Sequence, residues 1–135
     1  MKKIGVIGLG NMGSAVARNI QRANFSLYVY DINKEAGDKL IANGAIWKNS
    51  PKELMDDVDI VVTMVFGPKE IKEVMKNEDG ILQSSCEDKG WIDLTTSSPS
   101  LMRSLAKEFE SLGGLAVDAP VTGSLDAAIR GDMIM

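Results

Sequence analysis

Three glycines near the N-terminus have a spacing that suits a bound phosphate group. The segment Gly-Leu-Gly-Asn-Met-Gly at residues 8–13 follows a short apolar run and opens a stretch with a helical pattern. In this context Gly8 permits a tight turn, Gly10 lets a pyrophosphate approach the backbone, and Gly13 lets the helix pack closely on the strand. The N-terminus of that helix would present free N–H groups to the phosphates. The pattern predicts a dinucleotide site, and the alternative is a glycine turn that binds nothing.

An acidic residue follows the glycines at the distance where the ribose of a dinucleotide would lie. Asp31 comes 18 residues after Gly13 and closes the second predicted strand. A carboxylate accepts hydrogen bonds from ribose hydroxyls and repels a 2′-phosphate, so Asp31 favours NAD over NADP. One such hydrogen bond contributes about 1.5–3 kcal/mol, which corresponds to roughly 10- to 100-fold in affinity. Lys34 would offset part of this preference, and the alternative is that Asp31 caps the following helix.

Residues suited to proton transfer or metal binding are scarce. The chain contains no histidine, which excludes the histidine-based mechanism of lactate-type and malate-type dehydrogenases. Tyr30 and Lys34 have the Y-x-x-x-K spacing of short-chain dehydrogenases, but they lie over the adenosine end of the predicted site, far from any nicotinamide, so we interpret the match as chance. Cys86 has no base partner, and no Cys or His cluster suggests a metal. We therefore predict no catalytic residue and no metal site in this chain.

Other classes that use glycine loops fit less well. A P-loop would end in Gly-Lys-Ser/Thr, which is absent here. A methyltransferase also places a glycine loop after its first strand, but no clear methyl-transfer motif follows.

The elements that must position these residues alternate between strands and helices. Predicted strands cover residues 4–7, 27–30, 45–47, 59–65, 91–94 and 115–117. Predicted helices cover residues 11–23, 34–42, 68–75, 98–112 and 123–130, and a further helix opens at residues 50–53. Residues 77–89 are predicted as a loop around a short helical turn. This alternation predicts an α/β fold of the Rossmann type with a doubly wound, mostly parallel sheet.

The bulk composition fits one domain. The chain has 135 residues, of which 44% are hydrophobic and 25% are charged, and its net charge of −4 gives no reason to expect nucleic acid or a membrane as a partner. The single cysteine and the lack of a signal peptide or an apolar span of about 20 residues predict a cytoplasmic location. Residues 133–135 resemble an incoming strand, so we expect the domain, residues 1–135, to be truncated at its C-terminal end.

Three ordered motifs resemble the β-hydroxyacid dehydrogenase family, which includes 3-hydroxyisobutyrate dehydrogenase and 6-phosphogluconate dehydrogenase. The first is the glycine loop, with Met12 before its last glycine. The second is Asp-Leu-Thr-Thr-Ser-Ser-Pro at residues 93–99, similar to the family's Asp-x-Ser-Thr-x-x-Pro. The third is Asp-Ala-Pro-Val-Thr-Gly-Ser at residues 118–124, similar to Asp-Ala-Pro-Val-Ser-Gly-Gly, with Ala128 and Gly131 at the usual spacing. The resemblance covers the whole chain.

The resemblance implies roles for residues at the predicted strand ends. The cofactor would be bound by Gly8, Leu9, Gly10, Asn11, Met12, Gly13, Asp31, Met64, Val65 and Thr96. The hydroxyl and backbone N–H groups of Thr122, Gly123 and Ser124 would hold the substrate carboxylate. The chain departs from the family at Val65-Phe66, where Leu-Pro is common, and at Ser124, where an added side chain would narrow the pocket.

The resemblance further implies an NAD-dependent oxidoreductase that moves hydride between NAD(H) and a small hydroxy acid or semialdehyde. The family's catalytic lysine and its all-helical domain, which mediates homo-oligomerisation, would lie beyond Met135, so this chain alone is expected to bind NAD and to be inactive. Two alternatives remain open. One is a non-catalytic module that binds or senses NAD, which a genuine stop after codon 135 would favour. The other is an imine reductase of the same superfamily, which activity on cyclic imines would reveal.

Overall fold

Six strands and six helices alternate along the chain in the computed structural model, which describes residues 2–121 and 125–131. The strands are β1 Lys3–Ile7, β2 Ser26–Tyr30, β3 Ile46–Trp47, β4 Ile60–Thr63, β5 Gly90–Asp93 and β6 Leu115–Asp118. The helices are α1 Asn11–Arg22, α2 Asp38–Ala42, α3 Pro51–Asp57, α4 Pro68–Lys76, α5 Pro99–Ser111 and α6 Leu125–Arg130. Short 3-10 turns cover Lys34–Gly37 and Ile81–Gln83.

The six strands form one sheet in the order β3-β2-β1-β4-β5-β6, and every neighbouring pair is parallel. This arrangement confirms the predicted Rossmann-type fold. The strand order reverses between β1 and β4, and ligands of such sheets bind at that switch point, outside the carboxyl ends of the strands. The register pairs Ile7 with Thr63, Thr63 with Asp93, and Asp93 with Asp118, so the strands end in one row.

Helices cover both faces of the sheet, as a parallel sheet requires. One face packs against α3, α4 and α5, with Leu54, Ile71 and Phe109 fully buried. The other face packs against α1 and α2, with Ala17 and Leu40 in the core. None of the helices in the described part of the chain combines the length and the apolar character needed to span a lipid bilayer.

The predicted helix over residues 34–42 is wrong as a single helix. The chain instead forms a 3-10 turn and then the short helix α2. Asn33 starts the tight turn, because its side-chain oxygen accepts a hydrogen bond from the N–H of Glu35 at 3.2 Å. Gly37, a poor helix former, then lies so close to the Trp47 ring that an added Cβ would stand 3.0 Å from it. Packing against β3 therefore overrides the helical pattern.

The fourth strand is shorter than its apolar run predicts. β4 ends at Thr63, whereas the run continues to Val65. The N–H of Val65 donates to the Thr95 hydroxyl at 3.1 Å, so the backbone has left the sheet there. This departure brings Met64 and Val65 to the carboxyl edge, where the site is expected.

Candidate functional site

The glycine loop has a geometry that only glycine satisfies at two of its three positions. Gly8 has φ of +97°, and its N–H donates to the Tyr30 carbonyl at 3.1 Å. A Cβ on Gly8 would stand 2.0 Å from the Met64 carbonyl oxygen, and one on Gly13 would stand 1.9 Å from that of Gly8. At Gly10, by contrast, nothing in the described part of the chain lies within 4 Å of the Cβ position. Gly8 and Gly13 therefore serve packing, and Gly10 leaves open space for a ligand.

Helix α1 begins at that open space. Gly10 is its N-cap residue, and within the described residues no side chain caps it. Its first turn contains no acidic residue that would neutralise the partial positive charge of the helix end. Asn11 is exposed and Met12 is half-buried. The helix end therefore offers unpaired N–H groups and suits an anion such as a diphosphate.

The Asp31 carboxylate links the glycine loop to the end of β2. One of its oxygens accepts the N–H of Leu9 at 2.7 Å, and the other accepts the N–H of Asn33 at 2.8 Å. The following turn is capped by Asn33, so the alternative role of Asp31 as a helix cap is not what the structure has. A carboxylate can accept about four hydrogen bonds, which leaves capacity for ribose hydroxyls. Leu9 was also predicted to bind the cofactor, but its side chain is buried and its N–H already donates to Asp31.

Tyr30 is unsuited to the proton transfer that the Y-x-x-x-K spacing would suggest. Burial raises its pKa above the ordinary value, and the negative charges of Asp79 and Asp31 raise it further. The Lys34 ammonium lies 6.0 Å from the centre of the Trp47 ring, in a cation–π contact. A catalytic tyrosine needs a lowered pKa, so the structure supports the interpretation of this spacing as chance.

A hydrogen-bond network joins the ends of β4 and β5. The Trp91 indole N–H donates to the Thr63 hydroxyl at 2.9 Å, and this hydroxyl donates to Oδ1 of Asp93 at 2.7 Å. The same oxygen accepts the N–H of Thr95 at 3.2 Å. The Thr95 hydroxyl in turn accepts the N–H of Val65. We call the closed circuit through residues 63–65 and 93–95 the strand-end ring.

Asp93 is the buried acid of this network, and sequence reasoning gave it no role. Its side chain is inaccessible to solvent, and Oδ2 has no hydrogen-bond partner among the described residues. Burial raises the pKa of Asp93, hydrogen bonds from Thr63 and Thr95 lower it in part, and the charge of Asp118 raises it. The hydroxyl of Ser97 is also buried without a partner in the described part of the chain. The signal available from the sequence was an acid that ends an otherwise apolar strand.

The described residues predicted to bind the cofactor lie along the carboxyl edge of the sheet. Met64 and Val65 are half-buried after β4, and Thr96 is exposed after β5. Phe66, beside them, is 94% exposed. The predicted substrate residues Thr122, Gly123 and Ser124 lie outside the described residues.

Helix α6 follows those substrate residues and packs against α1. The Asn19 side chain, on α1, donates to the carbonyl oxygen of Ala128 at 2.6 Å. Sequence reasoning missed this contact, because a polar residue on an amphipathic helix normally faces solvent.

The comparison with known families agrees with this geometry. The profile of the NAD-binding domain of 6-phosphogluconate dehydrogenase matches residues 3–135. An uncharacterized oxidoreductase of Bacillus subtilis (strain 168), YkwC, is 37% identical over 132 residues, which cover 98% of this chain and 46% of that protein. Mitochondrial 3-hydroxyisobutyrate dehydrogenase of Mus musculus is 34% identical over 130 residues, which cover 96% of this chain and 39% of that protein. The chain thus spans less than half the length of these relatives.

Several solved structures share the fold of this chain. Mycobacterium tuberculosis 3-hydroxyisobutyrate dehydrogenase with L-serine superposes with a TM-score of 0.90 at 27% identity, covering 98% of this chain and 45% of that one. Imine reductases from Myxococcus stipitatus, one in complex with NADP+ and a variant in complex with NAD+, have TM-scores of 0.84 and 0.85. Their identities of 22% and 21% show a shared fold alone.

Proposed function

This chain belongs to the family of the NAD-binding domain of 6-phosphogluconate dehydrogenase, and from that premise we propose that it binds NAD as the cofactor part of a hydroxyacid dehydrogenase. The complete oxidoreductase transfers hydride between NAD(H) and a small hydroxy acid or semialdehyde, of the kind that 3-hydroxyisobutyrate dehydrogenases use. The similarity to 3-hydroxyisobutyrate dehydrogenases of known sequence and structure supports this substrate class.

The observation that carries the proposal is the open position at Gly10. It lies at the uncapped start of α1, beside the point where the strand order reverses. A diphosphate placed there meets free N–H groups and the positive end of a helix of 12 residues. Gly8 and Gly13 hold the loop in this shape through contacts that leave no room for a side chain.

We propose NAD rather than NADP as the preferred cofactor because of Asp31. Its carboxylate lies at the end of β2 and is held in place by two backbone N–H groups. A 2′-phosphate at this point would meet a fixed negative charge, whereas ribose hydroxyls would find an acceptor. Lys34, the nearest candidate for a phosphate partner in the sequence, is engaged with the Trp47 ring.

When bound, the nicotinamide ring supplies or accepts the hydride. Val65 and Thr96 would line its side of the cleft, and Thr122, Gly123 and Ser124 would hold the substrate carboxylate. No histidine is present to move the substrate proton, and we assign that step to a lysine of the homo-oligomeric complete enzyme. By itself the chain is then expected to bind NAD with little or no turnover.

The test is a fluorescence titration of the chain with NADH and, in parallel, with NADPH. We expect tighter binding of NADH and a loss of at least about tenfold in Gly10→Ala, because a Cβ there obstructs the approach of the diphosphate. Gly90→Ala is the matched control. Its new Cβ would lie in ordinary contact, 3.4 Å from the Ile60 side chain. Gly90 starts β5, so the change lies at the amino ends of the strands, away from the candidate site.

Binding of neither nucleotide by the unmodified chain would contradict the proposal. Tighter binding of NADPH would contradict the assignment to Asp31 alone. Equal affinities of the Gly10→Ala and Gly90→Ala variants would mean that the glycine loop is scaffold and that the nucleotide binds elsewhere.

A further inference from the structure

We propose that Asp93 is a positioning residue for the nicotinamide half of the cleft, where it fixes the two chain segments that leave β4 and β5. This inference rests on the proposed function, since it takes the cleft beside β4 and β5 to receive a dinucleotide. Nothing in the motif that contains Asp93 assigns it this task.

The strand-end ring ties the two segments together at a single carboxyl oxygen. Oδ1 of Asp93 accepts the Thr63 hydroxyl from one strand and the N–H of Thr95 from the other segment. The bond from Val65 to Thr95 then closes the circuit on the cleft side. With Asp93 removed, the Thr63 hydroxyl and the N–H of Thr95 would both lose their acceptor inside the protein. The separation of Val65 and Thr96 would then be fixed less firmly, by the bond from Val65 to Thr95 and the β4–β5 backbone pairing alone.

The ring lies on one side of the switch point only. A dinucleotide in a doubly wound sheet places one nucleotide half on each side of the point where the strand order reverses. Asp31 stands on the β1–β2 side, and the glycine loop joins β1 to α1 at the switch point itself. The ring stands on the β4–β5 side. Disturbing the ring should therefore affect the nicotinamide half and spare the adenosine half.

Packing alone does not account for an acid at this place. A buried strand end could hold an apolar residue, whereas Asp93 is inaccessible to solvent and leaves Oδ2 without a partner among the described residues. A buried polar atom without a hydrogen bond is costly and calls for an explanation. Burial also raises the pKa of Asp93, which favours the neutral acid, and an asparagine amide is the closest neutral replacement.

The experiment compares two ligands on the 135-residue chain, NADH and ADP-ribose, which lacks the nicotinamide. We expect Asp93→Ala to weaken NADH binding about tenfold or more while ADP-ribose binding stays within about twofold. Asp93→Asn should restore NADH binding, because its amide oxygen can replace Oδ1. The matched control is Ser84→Ala, which removes the partly buried hydrogen bond from another buried residue to the Lys52 carbonyl and should change the affinity for neither ligand.

A second variant keeps the test decisive if Asp93→Ala does not fold. Thr95→Val opens the same ring with almost unchanged volume and should produce the same loss of NADH binding with ADP-ribose spared. Equal losses for both ligands, failure of Asp93→Asn to rescue, or a Thr95→Val variant that binds NADH normally would each overturn the inference. If the unmodified chain binds neither ligand, the proposed function fails and the inference fails with it. Binding of both ligands without the selective loss refutes the inference alone.

Discussion

Asp31 combines two tasks in one side chain. It holds the glycine loop through the N–H of Leu9, and it holds the turn after β2 through the N–H of Asn33. These bonds fix the direction of the carboxylate before any ligand arrives, which lowers the entropic cost of binding a ribose. Loop shape and the proposed preference for NAD would then depend on the same residue.

Replacing this acid should change the cofactor preference. We expect Asp31→Asn to weaken NADH binding by about 10- to 100-fold and NADPH binding much less, because the variant loses a charged acceptor and a repulsive charge together. Parallel fluorescence titrations measure the ratio of the two affinities. Asn33→Ala is the control, since it keeps the backbone N–H that Asp31 accepts. An unchanged ratio in Asp31→Asn would exclude Asp31 as the selective residue.

Helix α1 is the element that connects the site to the rest of the fold. Its N-terminus packs just after β1 through the contact of Gly13 with the Gly8 carbonyl, and the loop touches the segment after β4 through the contact of Gly8 with Met64. Further along, Asn19 holds the C-terminal turn of α6 through the Ala128 carbonyl. A displacement of α1 would therefore move both the proposed diphosphate site and α6, the helix that follows the predicted substrate residues.

The close approach of α1 to β1 should be sensitive to a single methyl group. Gly13→Ala is expected to lower the free energy of unfolding by about 1–3 kcal/mol, because the carbonyl of Gly8 is backbone and cannot turn away. Urea denaturation monitored by circular dichroism measures this loss of stability. Gly10→Ala, in open space, should unfold at nearly the same urea concentration as the unmodified chain. Similar losses in both variants would mean that the helix does not depend on this contact.

At the scale of the whole molecule, helices bury both faces of the sheet and leave the ends of its strands open. Since α1 and α2 cover one face and α3, α4 and α5 the other, the strand ends are the part of the sheet that the described helices leave open to a ligand. The row of final residues, Ile7, Thr63, Asp93 and Asp118, forms the floor of that edge. Within this row Asp93 is fully buried and Asp118 is exposed, and burial raises the pKa of Asp93.

Stability should therefore respond to pH through Asp93. Its raised pKa means that the folded chain keeps the proton after the unfolded chain has lost it. The resulting stabilisation is complete below the unfolded value, near pH 4, and is lost as pH rises through the folded pKa. Asp93→Asn does not titrate, so its free energy of unfolding relative to the unmodified chain should increase with pH from about pH 4 upward and then level off.

Urea unfolding at a series of pH values measures that difference. Asp59→Asn is the control, because a hydrogen bond from the Lys3 N–H lowers the pKa of Asp59. Its effect should vary only below about pH 4, where Asp59 gains its proton in both states. A constant difference between Asp93→Asn and the unmodified chain would show that Asp93 ionises normally in the folded state.

The fold was predictable from the sequence because its signals are local. Apolar runs such as residues 4–7 and 60–63 specify buried strands, and Ser50 with Pro51 specifies the start of α3, where the Ser50 hydroxyl accepts the N–H of Glu53 at 3.0 Å. The turn at Lys34–Gly37 was not predictable in this way, since it depends on the distant Trp47 ring.

The candidate site was predictable only where backbone conformation requires a residue type. The spacing of the glycines and Asp31 reflects such requirements, which the backbone at Gly8 and Gly13 and the bond from Leu9 to Asp31 show, and their role in binding NAD stays a prediction. The strand-end ring was missed, because the bonds from Thr63 and Thr95 to Asp93 depend on which strands become neighbours. The positions of residues 122–124, named from the family resemblance, remain predictions.

The two tryptophans give the molecule a built-in optical reporter for each half of the proposed cofactor cleft. Trp47, on β3, has its ring centre 5.9 Å from that of Tyr30, on the side proposed for adenosine. Trp91, on β5, is buried on the other side and donates its indole N–H into the strand-end ring. Indole emission overlaps the absorption of reduced nicotinamide, so an excited tryptophan can transfer energy to bound NADH. In a variant that keeps only Trp91, the indole would lie on the side proposed for the nicotinamide. In a variant that keeps only Trp47, the indole would lie on the side proposed for adenosine. Comparing the quenching of tryptophan emission by NADH in the two variants would report the orientation of the bound dinucleotide.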